Sequence, residues 1–132
     1  MRSALAVLAF ALVACGDDTG SGNTDARIVN GCPALEEPQA SPGDPIDGDT
    51  WDTYAQQFFA DWCTRCHSST LSGTDRNGAP TGFDWDVEAS VRAQLPRIRT
   101  AVGVTNFMPF TPPDPPCEER ARIVRWIDAA AP

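Results

Sequence analysis

Cys63-Thr64-Arg65-Cys66-His67 sets two thiols three positions apart and puts an imidazole directly after the second. Thiols at that spacing can add to the two vinyl groups of a haem, leaving the imidazole beside the ring to ligate its iron. With five Cys and one His in 132 residues, random placement gives this pattern about once in a thousand chains. The motif therefore reads as an attachment site for one haem c per chain, with Cys63 and Cys66 taking the covalent bonds and His67 the iron. Two other chemistries use the same residue types. A CxxC pair can run thiol-disulfide exchange when a helix N-terminus stabilises one thiolate, but this pair follows a helical stretch and no βαβ pattern surrounds it. A zinc site would need Cys32 or Cys117 recruited as a fourth ligand.

At these residues the chain resembles the class I, monohaem c-type cytochromes, and the likeness covers roughly residues 49 to 132. It is also similar at its end, Glu118 to Pro132, to cytochrome c-like domains of bacterial lipoproteins. The resemblance implies an all-α, small cytochrome c-like fold of about four helices packed round a covalently attached haem, with His67 as the proximal axial ligand. Electron-carrying cytochromes usually close the sixth iron position with a thioether, which binds both oxidation states and raises the potential relative to a second imidazole. His67 is the only histidine and there is no lysine, so a bis-His or His/Lys centre within one chain is impossible. Once Met1 leaves with a signal peptide, Met108 is the remaining methionine. A lone Met is ordinarily core filler. Met108-Pro109, in a loop with Pro112, Pro113, Pro115 and Pro116, resembles instead the axial-methionine loop of small cytochromes and makes Met108 the expected distal ligand. A ligating imidazole usually donates its other N–H to an oxygen. The family's acceptor is often a carbonyl in a Gly-Pro-type stretch, which points to Pro80 in Gly78-Ala79-Pro80.

Several elements must position these groups. Trp51, Tyr54, Ala55, Phe58, Phe59 and Trp62 recur at helical spacing, with Asp49 or Thr50 as cap and Asp52 in the first turn. The resemblance expects an aromatic four residues before the first haem cysteine and a small residue one turn earlier, the places of Phe59 and Ala55. Ser68 to Thr81 is polar and turn-rich, a loop wrapped round one haem face. Val87, Val91, Leu95, Ile98, Ala101 and Val102 form a stripe that Pro96 interrupts, which predicts two short helices near 85–94 and 96–102. Arg92, Arg97 and Arg99 read as a solvated face, with one of them in reach of a haem propionate. The last helix, 117–131, has Glu118 and Glu119 in its first turn, Glu118 facing Arg122 at i+4, and Ile123, Val124, Trp126 and Ile127 inward. The resemblance implies that it crosses the first helix, with Trp126 against Phe58 and Phe59.

The N-terminal region carries an address. Met1-Arg2 precedes an uncharged apolar run from Ser3 to Ala14, long enough for a signal-peptide core and too short to span a bilayer. Leu12-Val13-Ala14-Cys15 resembles the bacterial lipobox, which implies a signal peptide over 1–14 and a lipid on Cys15. The competing reading is an ordinary secretory signal cleaved nearby. Gly16 in place of Asp argues against retention at the inner membrane, so the expected location is the outer membrane facing the periplasm, or the cell surface. Residues 15–48, rich in Gly, Asp, Ser, Thr and Pro, read as a lipid-anchored flexible tether pinned at one point by Cys32. The remainder, 49–132, is one domain of about 85 residues, a size at which an unaided core is marginal.

Cysteine arithmetic then leaves Cys32 and Cys117 as a pair, expected to form a disulfide in an oxidising compartment; the alternative is two free thiols. Charge adds an exclusion. Removing Arg2 leaves 9 of the 10 basic residues against 18 acidic ones, a balance that does not suit nucleic acid and suits either solubility or a basic protein partner. The function expected is a membrane-anchored monohaem carrier passing single electrons between redox partner proteins, with no substrate pocket. A haem enzyme or sensor with an open sixth site for peroxide or a gas is the alternative, and a haem-free CxxC oxidoreductase a more distant one.

Overall fold

The aromatic stripe sits on one side of a helix, and its members Trp51, Tyr54, Ala55, Phe58 and Phe59 are all buried. A computed structural model describes residues 27–44 and 48–129. The helix opens as a π-helical turn, Trp51–Ala55, and continues as α1, Gln56–Trp62. Thr50 is its cap. The Thr50 hydroxyl accepts from the Thr53 amide, and the Thr53 hydroxyl accepts in return from the Thr50 amide, so two otherwise orphaned donors are satisfied together.

Proline divides the next helical stretch. Helix α2, Glu88–Ala93, ends at Gln94, and α3, Leu95–Arg99, starts there with Pro96 in its first turn, where the missing N–H costs nothing. A second π-helical turn, Thr100–Val104, continues α3 and buries Val102 and Gly103. A Cβ on Gly103 would lie 2.6 Å from Cγ2 of Val124, so only glycine lets this turn approach the last helix. That helix, α4, is Cys117–Asp128. Its inner face carries Ile123, Val124, Trp126 and Ile127, and Trp126 meets Phe59 edge-on at 6.5 Å and Trp51 at 6.4 Å between ring centroids. The fold is therefore mostly helical, held by one aromatic core between the first and last helices.

Two expectations fail here for a shared reason: charges and main-chain polar groups found partners farther along the chain. Arg122 does not pair with Glu118. It makes two hydrogen bonds to Asp49, 2.8 and 2.7 Å, and lies 3.9 Å over the Tyr54 ring, joining α4 to the start of the aromatic helix. Arg99 is not on a solvated face either, since it pairs at 2.6 Å with the nearly buried Asp128.

Residues 27–44 are not a tether. Ile28–Val29 (β1) pairs antiparallel with Cys32–Pro33 (β2) across an Asn30-Gly31 turn whose two residues have φ of 51° and 79°, the left-handed pair that a tight hairpin requires. The segment then straps the body. Leu35 donates to the Gly103 carbonyl, Asn30 to the Asn106 carbonyl, and the Gln39 amide to Asp128. The fully buried Asn106 side chain donates back to the Val29 carbonyl. Cys32 is disulfide-bonded to Cys117. Little aliphatic bulk is needed because main-chain hydrogen bonds and a crosslink hold the strap. The signal peptide and Cys15 lie outside the described residues. Among the described residues no helix is long and apolar enough to cross a membrane.

Candidate functional site

Helix α1 runs directly into the CxxCH segment. Cys63 is its C-cap, with its amide on the Phe59 carbonyl, and the amides of Cys66 and His67 both turn back to the Cys63 carbonyl at 3.1 and 2.9 Å. The two thiols and the imidazole are thus presented by a tight turn anchored on a core helix.

The imidazole is held from three sides. Its ring stacks on Trp85, centroids 5.0 Å apart, and its carbonyl accepts from the Trp85 amide at 2.7 Å. Its Nδ1 lies 3.0 Å from the Phe83 carbonyl oxygen. A carbonyl only accepts, so Nδ1 carries the proton and Nε2 keeps its lone pair. Burial lowers the His67 pKa from its ordinary value, the Phe83 bond working against it and the nearby Arg76 charge with it. His67 is therefore a neutral imidazole at neutral pH, with Nε2 making no hydrogen bond among the described residues.

The acceptor is Phe83 and not Pro80. The Pro80 carbonyl is taken at 2.8 Å by Nη2 of Arg76. The loop carries its chain past Pro80 before turning under the imidazole, so the Gly-Pro signal located the loop and missed the oxygen.

Arg76 is the residue that sequence reasoning overlooked. It is 4% exposed and donates to the carbonyls of Ser68, Ala79, Pro80 and Phe83. A polar loop short of apolar side chains must satisfy its inward carbonyls, and one guanidinium with five N–H groups does so. The lone arginine within Ser68 to Thr81 was the available signal.

Met108 belongs to a separate segment of the chain, after the second π-helical turn. Its amide donates to Ala101 at 3.1 Å, and its carbonyl accepts from the buried Arg120 guanidinium at 2.6 Å, which also holds the Val102 carbonyl. Burial lowers the Arg120 pKa, and Asp114 partly offsets that. Arg65, between the two thiols in sequence, donates to the carbonyls of Thr111, Pro112 and Pro113 and so clips the CxxCH turn to the methionine loop.

Cys63, Cys66, His67, Pro80 and Met108 all line one cavity of about 350 Å³, floored by Phe59 and other core side chains. That volume is within the range of small-molecule and cofactor sites. Cys32 and Cys117 are not among its walls. Burial, opposed by Arg65 and Arg120, pushes the Cys63 thiol up to about 12, so it stays protonated at neutral pH. Thiol-disulfide catalysis needs the reverse shift. Among the described residues no three of His, Cys, Asp and Glu converge as a metal cluster. What the arrangement offers is an apolar cavity walled by one neutral imidazole, one thioether and two thiols able to tether a guest covalently. The chain matches no protein-family model, no curated protein and no solved structure.

Proposed function

We propose that this protein is a monohaem c-type cytochrome that passes single electrons between redox partner proteins. The observation that carries the reading is the convergence of the Cys63, Cys66 and His67 turn with the distant Met108 on one apolar cavity. The donor set fits the group. Two thiols at haem-attachment spacing sit beside an imidazole whose tautomer leaves Nε2 available, and the single thioether left for a sixth ligand shares their cavity. Bound there, haem c supplies a one-electron iron couple, and the protein supplies attachment, axial ligands and a largely water-free surrounding. In this reading the helices form a small cytochrome c-like fold around the haem, Cys63 and Cys66 bind it, Phe83 orients His67, and Arg120 sets the Met108 main chain. The exposed Phe107 and Phe110, which also line the cavity, mark its mouth.

An exported, lipid-anchored location through Cys15 belongs to the same proposal. The Cys32–Cys117 disulfide supports export, since such bonds persist in oxidising compartments. The test is a visible spectrum of the full chain, exported from a host that attaches haem to CxxCH. A sharp low-spin reduced spectrum, with a weak red charge-transfer band when oxidised that disappears in Met108→Ala, is the expected result. High-spin haem in the unaltered chain would turn the reading to an open-site enzyme or sensor. Absence of covalent haem would refute it.

A further inference from the structure

The Phe83 carbonyl oxygen has two donors. His67 Nδ1 approaches it at 3.0 Å and Arg76 Nη2 at 3.2 Å. Arg76 is buried in the fold, and the carboxylate nearest it belongs to the residue after Phe83: Asp84 Oδ1 lies 2.8 Å from Arg76 Nη1. That oxygen lacks the alignment of a hydrogen bond to any group, so the pair acts through charge. The imidazole, its acceptor and the ion pair of buried Arg76 with half-buried Asp84 therefore form one connected unit.

We propose that Arg76 is a positioning residue that sets the electron-donating strength of His67 by sharing the Phe83 carbonyl with it. The inference rests on the haem reading above and goes beyond it by assigning a control on the iron couple to residues that are neither ligands nor attachment points. Hydrogen bonding from a ligating imidazole to an oxygen raises the imidazole's basicity. An oxygen already engaged by a guanidinium has less lone-pair density to offer, because charge-assisted bonds are the stronger competitors. Arg76 thus holds the His67 bond weaker than Phe83 alone would make it, which favours the reduced iron. The guanidinium charge acts in the same direction and the Asp84 carboxylate against it, the buried guanidinium being the less screened by solvent.

A purely loop-holding role does not account for this contact. The segment around Phe83 is fixed by other bonds: the Trp85 amide to the His67 carbonyl, and the Ser90 hydroxyl, which donates to the Gly82 carbonyl and accepts from the Asp84 amide. Arg76 has four further carbonyls, those of Ser68, Leu71, Ala79 and Pro80, with which to gather the loop. Its contact with the His67 acceptor is additional to these.

The experiment is redox titration of the haem-loaded full chain carrying Arg76→Gln, Arg76→Lys or Asp84→Asn. Arg76→Gln is expected to shift the one-electron equilibrium about tenfold toward the oxidised form, about 59 mV lower in potential. Asp84→Asn shifts it the opposite way, and Arg76→Lys, which keeps the charge and loses the fork, falls between Gln and the unaltered chain. A second readout does not depend on the potential: the His67 Nδ1 proton resonance in the reduced protein moves downfield in Arg76→Gln as its bond to Phe83 shortens. If Arg76→Gln does not fold, Asp84→Asn and Arg76→Lys still carry the opposite-sign test. Potentials within about twofold of the unaltered equilibrium in the folded variants, with His/Met spectra retained, overturn the inference alone. A chain that takes no haem overturns the haem reading, and the inference with it.

Discussion

Removing the Cys32–Cys117 crosslink, as Cys32→Ala/Cys117→Ala, is expected to cost about 4 to 5 kcal/mol of unfolding free energy, and the loss should arise in the unfolded chain. The bond closes a loop with a sequence separation of 85. Loop-closure entropy for that length is about 15 cal/mol/K, or about 4.6 kcal/mol at 25 °C. The folded state gives up much less. The strap keeps Leu35 on Gly103, Asn30 on Asn106 and Gln39 on Asp128 without the crosslink, and the sulfur lost from the buried Cys32 leaves a void worth at most about 1 kcal/mol. Against a usual total of about 5 to 15 kcal/mol, this is a large share. The assay is guanidinium unfolding of both proteins, followed by tryptophan fluorescence and by far-ultraviolet dichroism. Because the uncrosslinked unfolded chain expands, the denaturant slope should rise while the midpoint falls. A loss under about 1 kcal/mol with an unchanged slope would refute the reasoning, because it would mean the crosslink does not constrain the unfolded chain.

Two further outcomes test the packing and the loop beside His67. Gly103→Ala should destabilise by about 1 to 3 kcal/mol, since its Cβ would meet the fully buried Val124; adding Val124→Ala should make the combined loss smaller than the sum, and simple additivity in a double-mutant cycle would deny the close approach. Asp86 receives hydrogen bonds from the Ser69 amide and hydroxyl and from the Ser68 hydroxyl; burial opposes the shift, but those bonds hold its carboxyl below the usual range. A depressed folded-state value means that its contribution is fully present above the unfolded value, about 3.9, and is lost as pH falls through the folded one. Asp86→Asn should therefore lower the melting temperature at neutral pH and converge with the unaltered protein in acid, and a gap that does not narrow as pH falls below the unfolded value would count against the assignment.

The sequence by itself determined what depends on near neighbours. The stripe from Trp51 to Phe59, the break at Pro96 and the inward face of α4 follow from side chains one turn apart, so their spacing is legible without a fold. The backbone turn of CxxCH is equally local, since the amides of Cys63, Cys66 and His67 bond no farther back than Phe59. Counting cysteines left Cys32 and Cys117 together, and the fold joins them. The Asn30-Gly31 pair carries a turn signal, but the low aliphatic content around it reads as a tether, because composition does not reveal main-chain bonds made to distant elements. Those bonds were decided by the tertiary structure alone. Which carbonyl meets His67, why Arg122 chooses Asp49 over Glu118, and how Arg76 gathers a polar loop all depend on where irregular chain passes in space. A carbonyl has no sequence signature, since every residue carries one, and only the fold selects the one that a buried donor can reach.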